Sequence, residues 1–368
     1  MLNGTVRPWL QEHLAGPYRL DDQGRDLVIR ANAALDDTYR QGHDHRPAGW
    51  WTRMVLDRLD RLPPPRRDML VDAGCGSGLL TRALMSVGAF RQCLSVDLSA
   101  AQLAALRRHL AEEAVEGVWT ARADVHRLPL PAGSVDCVAG NSMLHHLPDV
   151  PAFLREVHRV LRPGGVLLLT HEPTVSAERL EGLLRRPIAA ARRRLLGLPA
   201  DARDPGTGPP PAFTDLWVFD QDRLRECLVQ AGFAEVRIDA RGFLATPPLS
   251  LWDHLSVRLL GRLPPPGVYG RVREALDRLD AWLVGGRLPP DRFSSFGVSA
   301  RKAGNPGGDS PQPLPALFRC PEDRGPLQPE ASGLRNPRTG RLYPGSSSEG
   351  FDFVDPREVP GPHRSSGP

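Results

Sequence analysis

Val71-Asp72-Ala73-Gly74-Cys75-Gly76-Ser77-Gly78 decides the fold. Apolar Met69-Leu70-Val71 runs into an acid, three glycines alternate, and Leu79-Leu80-Thr81-Arg82-Ala83-Leu84 reads as a helix. This is a strand, a tight turn and a helix N-terminus. Glycine lets the backbone turn sharply and lets a ligand approach without a Cβ in the way. Such a loop belongs at the carboxyl end of the first strand of a doubly wound α/β sheet, where nucleotides bind.

The spacing departs from the dinucleotide fingerprint, because Leu79 stands where that pattern has its third glycine. Asp72 at the strand end would repel a pyrophosphate and welcome an ammonium. S-adenosyl-L-methionine carries an ammonium and a sulfonium and no phosphate. Asp-x-Gly-x-Gly-x-Gly at this place resembles the first motif of the class I methyltransferases that use S-adenosyl-L-methionine. The apolar strand Gln92–Val96 then ends in Asp97, whose two oxygens suit a pair of ribose hydroxyls. Ser99 is the better N-cap for the helix that follows, which leaves Asp97 for that role.

Three further stretches extend the resemblance, which covers residues 66–303. Residues 117–125 read as a short strand ending in Asp124. Similar methyltransferases place an acid there against the adenine amine and the next backbone N–H, here Val125, against the ring. The context Ala-Asp-Val-His-Arg-Leu-Pro-Leu-Pro-Ala-Gly-Ser-Val-Asp, residues 123–136, is similar to the ubiquinone and menaquinone biosynthesis branch. Strand 135–139 empties into Asn141 and the pair His145-His146. Leu161-Arg162-Pro163-Gly164-Gly165 precedes another apolar strand, ending in Thr170-His171-Glu172. The resemblance implies a seven-stranded Rossmann-like sheet. It places Asp72, Gly74, Gly76, Gly78 and Asn141 at the methionine end of the cofactor, Asp97 at the ribose, and Asp124 with Val125 at the adenine. His145, His146 and Glu172 face the acceptor side, where an imidazole titrating near pH 6.5 can act as a base. A structural role for at least one histidine, and for Glu172 as a strand cap, stands beside that reading.

The rest of the chain is read around this unit. Residues 1–65 form a helical extension, with one helix opened by Asp21-Asp22-Gln23 and running to Tyr39. A second is led by Trp50-Trp51 and stopped by Pro63-Pro64-Pro65. In the resembled family such an extension often covers the pocket, which Tyr39, Trp50 and Trp51 would line. His43, Asp44 and His45 lack a third ligand pattern and read as a polar loop, so no metal is expected. Insertions 174–214 and 240–292 are expected to border the acceptor pocket. The first carries an arginine-rich helix, read as a solvated face. The second reads as a helical lid or a dimer contact, so a homodimer is considered.

Residues 304–315 form a proline- and glycine-rich linker, 316–360 a small β-rich module, and 361–368 a tail. The module's Cys320-Pro321-Glu322-Asp323 and its apolar spacing resemble a small zinc-ribbon-like family that includes a methyltransferase activator subunit. Its second knuckle reads Asn336-Pro337-Arg338-Thr339, without a thiol. One thiolate and one carboxylate do not hold a structural zinc, so the module is expected to pack on the enzyme domain.

The net charge of +4 rests on arginine, with Lys302 the one lysine. A small excess spread over 368 residues is a weak steering field, so nucleic acid is not the expected partner. No membrane span is read from the sequence. Five scattered cysteines point to a reducing cytoplasm. The expected activity is methyl transfer to a small molecule, its accepting atom undetermined. The alternatives are an RNA or protein methyltransferase with a fused activator-like module, and a non-catalytic scaffold that binds the cofactor.

Overall fold

The computed structural model describes residues 8–34, 48–175, 216–241, 295–305 and 312–354, with isolated helical positions between 268 and 282. Helix α1 (Pro8–Glu12) and the hairpin β1 (Leu14–Gly16) and β2 (Arg19–Leu20) lead into helices α2 (Asp22–Ala33) and α3 (Ala48–Arg61). The doubly wound unit follows as β3 (Met69–Ala73), α4 (Leu79–Met85), β4 (Gln92–Asp97), α5 (Ala100–Glu112) and β5 (Val118–Arg122). It continues as β6 (Val135–Asn141), α6 (Val150–Val160) and β7 (Leu161–Pro173). Helix α7 (Gln221–Gln230) precedes β8 (Phe233–Arg241) and β9 (Ser295–Lys302).

These strands lie in the order β5-β4-β3-β6-β7-β9-β8. Strands β3 to β7 pair in parallel, and β9 runs antiparallel between β7 and β8. This is the expected seven-stranded Rossmann-like order. The apolar runs of the central strands have a physical reason: both faces of the sheet are covered. Val71, Val138, Leu167 and Leu169 join one core with α6 and α7. Their neighbours Leu70, Cys137, Val166 and Leu168 join a second core on the other face.

That second core holds Val55, Leu59 and Leu62 from α3 and its end, against Leu80, Ala83 and Leu84 of α4. Arg58 of α3 is buried and pairs with Asp239 of β8 at 3.3 Å. This half of the N-terminal extension is therefore a layer of the sandwich. The side chains of Tyr39, Trp50 and Trp51, the His43–His45 loop, insertion 174–214 beyond Val175 and most of 240–292 lie outside the described residues.

The C-terminal segment forms β10 (Gln328–Glu330), β11 (Gly333–Arg335), β12 (Leu342–Ser346) and β13 (Gly350–Asp352). It adds to the main sheet: β13 pairs in parallel with β5, Phe351 opposite Ala121 and Asp352 opposite Arg122. Phe318 sits 5.2 Å from both Phe351 and Phe353. All three, with Tyr343, belong to the same core as β3 and β6. A parallel strand at the open β5 edge satisfies backbone groups that would otherwise face solvent.

Where a zinc knuckle would sit, Cys320 Sγ lies 3.1 Å from the Tyr343 hydroxyl, both buried. The Gly325 N–H, then the Asn336 and Cys320 side chains, hold the Asp323 carboxyl below its ordinary range. Asn336 Oδ1 accepts from the amides of Arg338 and Thr339. Among the described residues no three His, Cys, Asp or Glu side chains converge as a metal set. Elemental analysis of protein purified without chelator should find well under one zinc per chain. Stoichiometric, chelator-resistant zinc would overturn that expectation.

Candidate active site

The chain steps from β3 through β4 to β5 on one side and through β6 to β7 on the other. The end of β3 is therefore the topological switch point, where ligands of open α/β sheets bind. The glycine loop occupies it. Gly78 has φ +84°, and a Cβ there would lie 2.1 Å from Leu106 Cδ1, so glycine allows α4 to pack on α5. Gly76 has φ +52°, and a Cβ there would meet nothing nearer than Gln102 Oε1 at 3.9 Å. Its backbone is open on that side, as a closely approaching ligand requires. The loop is tied down by Cys75 N donating to Val96 O at 3.0 Å.

The acids chosen from the sequence come together at the carboxyl edge of β3, β4 and β5, each differently held. Asp97 Oδ2 accepts from Gly76 N and Oδ1 from Ser99 N, both at 2.8 Å. These bonds orient the carboxylate against the loop. Burial raises the Asp97 carboxyl, and the Ser99 and Gly76 amides work against that rise. Ser99 caps α5 by accepting from Gln102 N.

Asp72 is 1% exposed and turned toward α4. Its Oδ2 accepts from Thr81 N at 3.0 Å and Thr81 Oγ1 at 2.6 Å. Burial pushes its carboxyl up to about 7, against the Thr81 hydrogen bonds and helped by the nearby Asp97 charge. A carboxyl raised in the folded state stabilises the fold fully below its unfolded value near 3.9. The contribution is lost as pH rises through about 7. Relative to Asp72→Asn, the wild-type protein should lose on the order of 4 kcal/mol of stability between pH 4 and 7. Urea denaturation across that range checks this, and parallel profiles for the two proteins would refute it.

Asp124 caps a short 3-10 turn, Val125–Arg127, and Val125 is buried at its start. Oδ1 accepts from His126 N at 2.9 Å and meets His126 Nδ1 at 2.6 Å. The other ring nitrogen, Nε2, meets the Asp149 carbonyl at 3.1 Å. Both ring nitrogens thus face oxygen atoms, which fixes the ring against Asp124. Oδ2 takes Arg25 Nη2 of α2 at 3.2 Å. Burial opposes the Asp124 charge, but His126 and then Arg25 hold the carboxyl well below the usual range.

On the other side of the switch point, Asn141 Oδ1 accepts from Thr170 Oγ1 at 2.8 Å. His145 and His146 follow on a 3-10 turn, Leu144–His146, their ring centroids 4.0 Å apart. His145 is buried, while His146 is half-buried. Glu172 is fully buried. Its Oε1 accepts from the amides of Met143 and Leu144, and its Oε2 from the amide of His145. Oε2 also meets His145 Nδ1 at 2.8 Å. This corrects the acceptor-facing reading of Glu172. The carboxylate binds the open amides at the start of the turn and orients the His145 ring.

The cause is a bulge in β7. Leu169 pairs with Val298 and Glu172 with Phe296, so β7 has one residue more than β9 between these pairs. His171 takes φ +59° within it. Such an insertion re-aims the side chains that follow. Sequence reasoning missed Thr81, Arg25 and Asn32, whose Nδ2 donates to His146 O at 3.4 Å. It also missed Trp217, whose Nε1 donates to Leu147 O at 2.6 Å. Only Thr81 had a local signal, a hydroxyl in the first turn after the glycine loop.

A family model described as "Methyltransferase domain" matches residues 71–169, the segment that carries this geometry. Residues 71–169 are thus similar to a methyltransferase domain. Over 132 residues the chain is 37% identical to the malonyl-[acyl-carrier protein] O-methyltransferase of Halorhodospira halophila, covering 33% of this chain and 42% of that protein. Over 101 residues it is 34% identical to the ubiquinone biosynthesis O-methyltransferase of Xanthomonas oryzae, covering 27% and 41%. The chain spans about a third to a half of the length of the curated relatives it matches. A solved phosphoethanolamine N-methyltransferase 2 from Haemonchus contortus is similar with a TM-score of 0.47 at 17% identity, over 76% of this chain and 60% of that one. Among the described residues of the methyltransferase domain and its neighbours, no helix is long and apolar enough to cross a membrane.

Proposed function

We propose that the protein transfers the methyl group of S-adenosyl-L-methionine to a small-molecule acceptor. The observation that carries this reading is the open Gly76 backbone with the Asp97 carboxylate fixed beside it at the switch point. When bound, the cofactor supplies an electrophilic methyl group on a sulfonium. The residues present fit it: an open cradle, an oriented acid at the next strand end, and a third acid beyond.

Asp97 accepts from the ribose hydroxyls. Asp124 accepts from the adenine amine, and the Val125 N–H meets the ring. Asp72, Asn141 and the loop of Gly74, Gly76 and Gly78 hold the amino-acid end. An arriving ammonium favours the ionised form of Asp72, offsetting the burial that raises it. His146 is the histidine assigned to the acceptor, because it is the more exposed of the pair. His145, held by Glu172, positions it by packing ring against ring. The protein's part is orientation, exclusion of water and, where the acceptor carries a proton, a base.

A small acceptor is supported by the segment after β6. Asn141-Ser142-Met143-Leu144 is not the Asn/Asp-Pro-Pro-aromatic clamp of base and glutamine N-methyltransferases, and Met143 and Leu144 are buried. The ubiquinone biosynthesis O-methyltransferase relative also favours it over RNA. Isothermal titration should show one S-adenosylhomocysteine per chain and no NADH. Tight NADH binding without S-adenosylhomocysteine would sink the reading.

A further inference from the structure

Helix α2 sends two polar side chains to opposite halves of the cleft. Arg25 Nη2 donates to Asp124 Oδ2, on the side read as the adenine subsite. Asn32 Nδ2 donates to the backbone oxygen of His146, on the acceptor side. Seven residues are nearly two helical turns, so both positions lie on one face, about 10 Å apart along the axis. Val28, between them, is buried in the core shared with β3 and β6. This face is turned inward.

The helix is held in place from its N-terminal end. Asp21 caps it by accepting from Gly24 N at 2.7 Å and also meets His13 Nδ1 at 3.1 Å. The hairpin before it is tied to the segment after the histidines, with Leu20 N donating to Pro148 O and Val150 N to Tyr18 O. Tyr18 packs against Trp217 and Phe219, and its hydroxyl accepts from Asp220 N at 3.0 Å. The cover is thus anchored to the loops that frame the acceptor side.

The hydrogen-bond capacity of Asp124 gives Arg25 its role. An ionised carboxylate offers about four acceptor positions. His126 takes two on Oδ1 through its amide and its ring, and Arg25 takes one on Oδ2. Among the described residues one position remains, on the oxygen that Arg25 holds. We propose that Arg25 is a positioning residue for the cofactor: it locks Asp124 with a single acceptor position left for the adenine amine, and so couples α2, as a roof over both halves of the cleft, to cofactor binding. This rests on the cofactor reading above.

The test uses the full chain, with calorimetry of S-adenosylhomocysteine and hydrogen exchange of residues 22–33. Ligand should slow exchange in α2 of the wild-type protein. Arg25→Ala should raise Kd about tenfold and remove most of that slowing, while Arg25→Lys restores part of both. Because Arg25 acts through Asp124, the double variant Arg25→Ala/Asp124→Ala should bind no more weakly than Asp124→Ala alone. An unchanged thermal midpoint separates lost positioning from lost folding. Binding of Arg25→Ala within twofold of wild type, tighter binding, or fully additive losses in the double variant would each overturn the proposal. If the wild-type protein binds no S-adenosylhomocysteine, the cofactor reading falls and takes this inference with it.

Discussion

Glu172→Ala should lower the unfolding free energy by about 3–5 kcal/mol, the loss expected when one member of a buried ionic network is removed. Glu172 is fully buried and accepts from three consecutive amides, with His145 Nδ1 as its fourth partner. Alanine would leave all four without an acceptor in a site closed to solvent. Glu172→Gln keeps the shape and one acceptor oxygen, so it should cost less. Equilibrium denaturation of the three proteins measures the order. A loss under about 1 kcal/mol with a large fall in turnover would return Glu172 to the acceptor chemistry.

Asp97→Ala should weaken S-adenosylhomocysteine binding by roughly 1–3 kcal/mol, about 5- to 150-fold. Two effects contribute. The ribose loses a charged acceptor, and Gly76 N and Ser99 N lose the oxygen that holds the loop against α5. Asp97→Asn keeps one acceptor oxygen and should fall between. Calorimetry separates them, since loss of loop order adds an entropic cost on binding. Unchanged affinity in Asp97→Ala would place the ribose elsewhere and remove the main support for the cofactor assignment.

Much of the sheet was legible because its signals are local. Each central strand is an apolar run, and each glycine turn or proline break bounds it. Asp21, Ser99 and Asp149 cap helices by accepting from amides three residues further on. The helix expected to run from Asp21 to Tyr39 is described from Asp22 to Ala33. The C-terminal segment was less legible. Its parallel addition to β5 has no local signal, because no residue of 350–352 shows which edge it will meet.

The residue order alone determined the strand, glycine loop and helix around Asp72, and the acids that close β3, β4 and the β5 turn. Backbone conformation and apolar periodicity act over a few residues, so a short stretch carries them. Only the tertiary structure decided how those acids are held. Arg25 reaches Asp124 across 99 positions of chain, and nothing at either site marks the other. One inserted residue in β7 takes Glu172 out of the acceptor side and into the core, because a strand's side chains alternate faces and an extra residue resets that alternation.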